Sequence, residues 1–367
     1  MIAEQPARVQ RLRLPPGRRV LVVSDIHGNV PYLEGVLRKA GFCAQDELIV
    51  DGDFLEKGAE SLRTLRILME LEKQGNTHVL LGNCDDWSEI YGKGWDARDD
   101  GHVLRYMLWR KSGLLWDMCN AAGLDPFELE DFGAARRELK RLFPEEWAFL
   151  RRLPHAIDTE DYLFAHAGAR PDKALDAHTA SDFNHCDSFL TQDVRFDKWV
   201  VVGHWPVVLY GKDRVCANPI VDREKKIVSI DGGCVLKDDG QLNCLILPER
   251  PDGDFGFVAY DPFPERTALD DQAESERSCY IRWGDSRVQV LRRGAEFSRC
   301  RHVRSGYELD ILTKYLFTDN EFTDCNDCTD YVLPVRAGDR LRIVEETSRG
   351  VLAKKDGVSG WYFGGLT

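Results

Sequence analysis

The chain contains no apolar run approaching the roughly 18 residues that a membrane-crossing helix needs. Nor does it begin like a secreted protein. Residues 1–19 are polar and rich in arginine, and the apolar stretch at 20–23 is too short for a secretory core. Excess positive charge is also missing. Lys and Arg number 49 against 62 Asp and Glu, and the net charge of -13 argues against a general nucleic-acid or anionic-membrane binder. A local basic pocket for one phosphate is still allowed. The 11 cysteines are odd in number and scattered, unlike a disulfide framework, which fits reduced thiols. Together these absences predict a cytoplasmic protein with no membrane association. What is present is ordinary: 367 residues, 43% hydrophobic and 30% charged, a soluble globular composition long enough for two domains.

Short β-branched runs recur and end at residues able to do chemistry. Residues 19–23 lead into Asp25, 47–50 into Asp53, 78–81 into Asn83, 162–165 into His166 and 199–202 into His204. Further runs at 226–230 and 242–247 follow without such residues. Continuous apolar runs of this length read as buried strands. Helical patterns over 32–40 and 61–74 lie between the early strands, so the first third reads as βαβαβ with a helix-covered sheet. Ligand sites in such sheets gather at the carboxyl ends of strands, which predicts one shared cleft.

Residues 95–153 interrupt this rhythm with a helical insertion, including 102–119 and 132–152, with Trp109, Trp116 and Trp147 available to pack it. It either caps one edge of the cleft or forms a packed flank. Residues 251–278, rich in Asp, Glu and Pro, read as a linker. Strand signals then follow at 279–283, 287–291, 339–344, 350–354 and 360–363, predicting a small all-β domain over 279–367. Its end, from Pro334 through Trp361 and Tyr362, resembles a bacterial SH3-like domain, which would allow a protein partner there. Asp324 to Cys328 holds one C-x-x-C, formed by Cys325 and Cys328, with Cys300 and His302 upstream. A single pair with that spacing predicts reduced thiols rather than a zinc site.

Five motifs carry the chemistry: Ser24-Asp25-Ile26-His27-Gly28, Gly52-Asp53, Gly82-Asn83-Cys84-Asp85, His166-Ala167-Gly168 and Gly203-His204. They supply two carboxylates, one amide and three imidazoles, a donor set for two divalent cations. Asp25 and His27 alternate with Ile26, so on an extended strand end they would face the same way and chelate one ion. Asp53 has two oxygens and can bridge two ions. Asn83 offers a carbonyl oxygen, and His166 and His204 offer ring nitrogens. This mixed set suits manganese, iron or zinc better than magnesium or calcium. Taken singly, each residue has a plainer reading, an Asp capping a turn or a buried His making a hydrogen bond. Five in order, each at a strand end, favour the metal centre.

From about residue 20 to 250 the chain resembles a calcineurin-like metallophosphoesterase, and within that group the phosphoprotein-phosphatase family. Gly52-Asp53-Phe54-Leu55-Glu56-Lys57-Gly58 is similar to that family's G-D-x-V-D-R-G. The His166 and Gly203-His204-Trp205 motifs, residues 147–154 and Ser229-Ile-Asp231-Gly-Gly-Cys234 look like the bacterial symmetrical diadenosine tetraphosphate hydrolases. The resemblance implies an α/β metallophosphoesterase sandwich of mixed β-sheets flanked by helices over 19–250, preceded by an extension at 1–18. It implies two divalent ions, manganese first, held by Asp25, His27 and Asp53 on one side and Asp53, Asn83, His166 and His204 on the other. Catalysis would be in-line attack on phosphorus by a metal-bound hydroxide.

Two departures bear on the reaction. The family's G-N-H-[ED] reads Gly82-Asn83-Cys84-Asp85, replacing the histidine that protonates the leaving oxygen, and that histidine's Asp partner is changed to Glu56. A thiol is a weak general acid, so poor leaving groups should suffer most. Cys84 could instead ligate metal as a thiolate, or simply fill space. The motif Arg becomes Lys57, a point charge for a phosphate oxygen, and Arg170, with Arg195 behind it, is the candidate second clamp. Three functions are expected in order: a phosphatase acting on phosphoprotein or another phosphomonoester, a dinucleoside polyphosphate or diester hydrolase, and a non-catalytic metal-binding scaffold.

Overall fold

The computed structural model describes residues 6–87, 97–319 and 322–367. Positions 95 and 96 of the expected insertion, and the first five residues of the expected extension, lie outside them. The chain divides into two compact units, one of Met1–Trp205, Pro219–Leu236 and Gly240–Asp261, the other of Pro206–Asn218, Lys237–Asp239 and Pro262–Thr367.

In the first unit, Val20–Val23, Glu47–Asp51 and Thr77–Leu80 run parallel, and Leu242–Ile246 and Gly256–Tyr260 complete a five-stranded mixed sheet. Alternation along these strands sends side chains to two cores. Leu21, Val23, Leu48 and Val50 face the helices Val30–Ala40 and Ser61–Lys73 through Leu33, Val36, Leu65 and Leu68. Val20, Val22, Ile49 and Leu80 face the other way, onto Ile157, Phe164, Val201 and Val228 of a six-stranded mixed sheet. In that second sheet Tyr162–Ala165, Trp199–Val202 and Ile227–Ser229 are parallel. The result is the expected α/β sandwich, with the motif-bearing ends of each parallel set on one edge. No helix among the described residues is long and apolar enough to cross a membrane.

The structure departs from the sequence reading in several places, and the helix expected over 132–152 is two, Phe132–Leu142 and Pro144–Arg152. The helix expected over 102–119 is two, Ala97–Arg110 and Leu114–Ala121, because Lys111 and Gly113 take left-handed conformations between them, at φ 54 and 105. Trp147 is buried, but Trp109 is 73% exposed and does not pack the insertion's core. The supposed linker contains the strands Gly256–Tyr260 and Glu265–Thr267. Its acidic composition concealed them, since both are edge strands with exposed faces. Residues 9–11 of the supposed extension form a strand, Val9–Arg11, paired with Ala156–Asp158.

The second unit contains an antiparallel ladder of Arg340–Thr347, Gly350–Lys355 and Val358–Tyr362, and a three-stranded sheet of Val288–Arg292, Phe297–His302 and Glu308–Leu312. Tyr362 is fully buried beside Leu341, Ile343 and Ala353, and its hydroxyl donates to Asp270 O at 3.0 Å. Trp361 Nε1 donates to Thr329 O at 2.8 Å. Both aromatics therefore pack within the unit.

Candidate metal centre

Asp25 and His27 do not lie on an extended strand end as expected. The loop after Val20–Val23 is laced to the loop after Glu47–Asp51. Asp25 N–H donates to Gly52 O (3.0 Å), His27 N–H to Asp53 O (2.9 Å), Gly28 N–H to Phe54 O (2.8 Å) and Gly58 N–H to His27 O (2.9 Å). This lacing holds Asp25, His27, Asp53, Glu56 and Lys57 in the left-handed region at φ 57, 50, 49, 63 and 65, and His204 joins them at 65. L-residues adopt such angles at a cost, and their concentration at one edge marks a functional site. Gly52, at φ 78, sits where a Cβ would come within 2.6 Å of Gly82 N and 2.7 Å of His166 Nδ1. Asp85 fastens the third loop. It accepts from Gly82 N–H and Leu55 N–H, both at 2.9 Å, while Cys84 N–H donates to Asp53 Oδ1 at 2.8 Å.

All six expected ligands come together. His27 Nε2 lies 3.8 Å from Asp25 Oδ1 and 3.9 Å from Asp53 Oδ2, and His166 Nε2 lies 3.3 Å from Asp53 Oδ1. Asn83 Oδ1 is 3.2 Å from His166 Nε2 and 2.8 Å from His204 Nδ1. Backbone carbonyls set the ring tautomers, since they can only accept. His27 Nδ1–H donates to Leu55 O (3.2 Å) and His166 Nδ1–H to Asp51 O (2.9 Å), leaving both Nε2 atoms toward the carboxylates. The donor set fits divalent cations on three counts. His27 Nε2 is buried without a hydrogen-bond partner. Burial, with Asp231 and Asp53 nearby, pushes the Asp25 carboxyl well above its usual range. Burial alone would lower His166, but Asp53, Asp25 and Asp51 outweigh it and push the ring well up, so the cluster draws positive charge to itself.

Burial, then His166, lowers His204 to about 4, so its ring is neutral near pH 7. Nε2 faces Asp187 Oδ1 at 3.2 Å and Nδ1 faces Asn83 Oδ1 at 2.8 Å, so the neutral ring has an acceptor at each nitrogen and one proton to share between them. Asn83 Nδ2 donates to Cys84 Sγ at 3.4 Å, which fixes that oxygen toward the ring.

The other candidates sort unevenly. Cys84 Sγ lies within 4.8 Å of His27 and Asp53 ligand atoms, so the thiol is in the cluster. Lys57 is there too. Burial would lower its pKa, but the Cys84, Asp53, Asp25 and Asp231 side chains win and raise it. Glu56 turns toward the insertion, where Oε1 accepts from Leu114 N–H at 2.9 Å and Oε2 from the Tyr106 hydroxyl at 3.3 Å. Arg170 is exposed and paired with Asp172 at 3.2 Å, and Arg195 is exposed and paired with Glu224. Sequence reasoning missed Asp187, which no motif contains, and gave no role to Asp85 or Asp231. Asp231 is buried with Oδ2 unpaired, and its charge reaches both Asp25 and Lys57. Its position just after the strand Ile227–Ser229 was the available signal.

A two-sheet α/β sandwich with carboxylates, imidazoles and an amide converging on one edge defines a metallophosphoesterase. Residues 18–231 match the calcineurin-like phosphoesterase family, and the chain belongs to it. It is thus a phosphoric ester hydrolase of a family that works with divalent metal ions. A symmetrical bis(5'-nucleosyl)-tetraphosphatase from Shewanella frigidimarina is 25% identical over 219 residues, 57% of this chain and 68% of that protein. Among solved structures, a serine/threonine phosphatase from Saccharomyces cerevisiae is 12% identical, covering 71% of this chain and 85% of its own, with a TM-score of 0.41. A metallophosphoesterase from Sphaerobacter thermophilus is 17% identical, covering 66% and 88%, with a TM-score of 0.39.

Proposed function

We propose that the first unit hydrolyses a phosphoanhydride of the dinucleoside polyphosphate class with two divalent cations, manganese being the best match to the mixed donors. Asp25, His27 and Asp53 would hold one ion, and Asp53, Asn83, His166 and His204 the other. Bound there, such ions polarise phosphoryl oxygens and lower the pKa of water. The chain's own residues do the rest. Carbonyls of Leu55 and Asp51 keep the His27 and His166 rings turned toward the carboxylates. Lys57 neutralises a phosphoryl oxygen as a point charge.

The observation that carries the substrate class is the missing proton donor. A thiol, Cys84, stands at the donor position, and the carboxylate of Glu56 accepts from Leu114 N–H and the Tyr106 hydroxyl instead. A phosphate leaving group departs without a proton, whereas an alkoxide needs one. The tetraphosphatase relative supports the same class. A second reading, a phosphomonoester including phosphoprotein, is favoured by the Gly52 to Gly58 segment and its Lys57. The antiparallel ladder from 340 to 362 supports reading the end of the chain as SH3-like.

The test is a panel of diadenosine tetraphosphate, an alkyl phosphomonoester, a phosphopeptide and a phosphodiester, each with Mn²⁺, and Asp53→Asn as control. Fastest turnover of the tetraphosphate, lost in Asp53→Asn, is expected. Turnover that survives Asp53→Asn, or none on any substrate, overturns the hydrolase reading; a preference for the monoester overturns the substrate class.

A further inference from the structure

The second unit holds a pair of thiols that this hydrolase reading does not use. Cys325 ends the strand Phe322–Cys325, and Cys328 opens the short strand Cys328–Thr329. Their sulfur atoms are 3.9 Å apart. The turn between them is pinned from several sides. Asn326 N–H donates to Tyr315 O at 3.0 Å. The Asp327 carboxylate accepts from Trp283 N–H at 2.7 Å, the Tyr280 hydroxyl at 3.0 Å and Lys237 Nζ at 2.5 Å. Cys325 is buried, its N–H donating to Ser286 O at 3.1 Å, while Cys328 keeps part of its surface.

Two kinds of chemistry suit thiols at this spacing. A tetrahedral zinc ion would need two further ligands. Among the described residues, no third Cys, His, Asp or Glu ligand atom lies within 4.8 Å of this pair to form such a group. The remaining option needs only the two sulfurs. A disulfide bond of about 2.05 Å requires them to close by roughly 2 Å, in a turn whose other atoms are already held. The hydrogen bond to Cys325, then burial, keeps the Cys328 thiol well above its usual pKa. The reduced pair is therefore held as two thiols and gains no thiolate stabilisation.

We propose that Cys325 and Cys328 are a redox-active dithiol that closes to a disulfide by exchange with a small-molecule disulfide such as oxidised glutathione. Cys328, the less buried residue of the two, gives up its proton, and its sulfur attacks one sulfur of the small disulfide. A mixed disulfide forms, the original S–S bond breaks, and the first thiolate leaves and takes up a proton. Cys325 then loses its proton and attacks the Cys328 sulfur, forming the internal bond and expelling the second thiolate. The two cysteines lose two electrons and two protons, and one small disulfide becomes two thiols. The bond would tie the hairpin of Leu316–Asp319 and Phe322–Cys325 to the ribbon of Tyr280–Ile281 and Cys328–Thr329.

The full chain reports this directly. Cys325 and Cys328 share one tryptic peptide, residues 315–336, that contains no other cysteine. The protein is equilibrated across ratios of reduced to oxidised glutathione, quenched in acid, alkylated under denaturing conditions and mapped by mass spectrometry. Doubly alkylated peptide should fall about tenfold or more toward the oxidising end, replaced by a form two hydrogens lighter. Cys325→Ser should stop at a glutathione adduct on Cys328. Full alkylation at every ratio, a Cys328 disulfide to Cys279, or stoichiometric zinc retained by the wild-type second unit's thiols would overturn the proposal. The wild-type measurement decides even where the variant does not fold, and it is independent of any phosphatase assay.

Discussion

Asp187 places a carboxylate oxygen 3.2 Å from Nε2 of His204 although it is itself 71% exposed. Proton donation from Nε2 to Asp187 would leave the Nδ1 lone pair free for a metal ion beside Asn83. Carboxylate partners of ligating histidines typically change metal affinity 10–100-fold when removed. Asp187→Asn should weaken Mn²⁺ binding by about that factor, read by isothermal titration, and Asp187→Glu should recover part of it. An unchanged affinity in Asp187→Asn would mean that His204 does not bind metal through Nδ1.

Asp85 is buried and joins two loops, accepting Gly82 N–H and Leu55 N–H at 2.9 Å each, with Phe54 N–H at 3.4 Å. Replacing it by Ala strands those amides. A buried unpaired donor costs about 1–3 kcal/mol, so Asp85→Ala should lose about 2–5 kcal/mol in urea unfolding. Asp85→Asn keeps one acceptor oxygen and should lose less. A loss under about 1 kcal/mol would show that the loops are held without it.

Burial pushes Glu56 up to about 7, with Asp117 raising it further while Leu114 N–H, Tyr106 and Arg110 pull it down. A free Glu titrates near 4.3, so between about pH 4.5 and 7 the unfolded chain releases this proton while the folded one keeps it. The unfolded state then binds fewer protons, and stability falls as pH rises through that window, by up to about 3 kcal/mol. Other raised carboxyls, including Asp51 and Asp117, act in the same direction, so the informative quantity is a difference. Glu56→Gln should flatten the pH dependence of unfolding free energy relative to wild type. Parallel profiles for the two proteins would mean that Glu56 is ionised throughout.

The ligand set was legible because its residues sit at the ends of apolar runs, and a run of three or four apolar residues is a local signal. How Asp25 and His27 meet was not. Their convergence depends on left-handed angles enforced by amides and carbonyls about 26 residues away, and no local pattern records those bonds. The surroundings of Arg170 were hidden for a related reason: proximity to His166 in the chain said nothing about Asp172, with which the guanidinium pairs at 3.2 Å. Asp187 was invisible because an exposed Asp in a polar segment has no distinguishing neighbours in sequence. The strand Gly256–Tyr260 hid inside acidic flanks, although Tyr260 meets Tyr32 edge-on at 5.9 Å.

Cys84 offers the sharpest test of the leaving-group argument. Its amide is tied to Asp53 and its sulfur lies among His27 and Asp53 ligand atoms, so a side chain here points into the candidate metal centre. An imidazole at this position would supply a proton that the thiol supplies poorly. General acid catalysis is worth about 10²–10⁴-fold. Cys84→His should therefore raise kcat/KM for an alkyl phosphomonoester by about 100-fold, the lower end, because Glu56 is committed to Leu114 and Tyr106. Adding Glu56→Asp frees Leu114 N–H and brings no such bond with it, so the double variant should gain more only if the shorter carboxylate turns to the new imidazole. Diadenosine tetraphosphate, whose leaving group needs no proton, should change by less than about threefold in either protein. If alkyl turnover rises in neither variant, the absent proton donor is not what sets the substrate class. If tetraphosphate turnover rises in step with it, the position acts through metal binding and not through the leaving group.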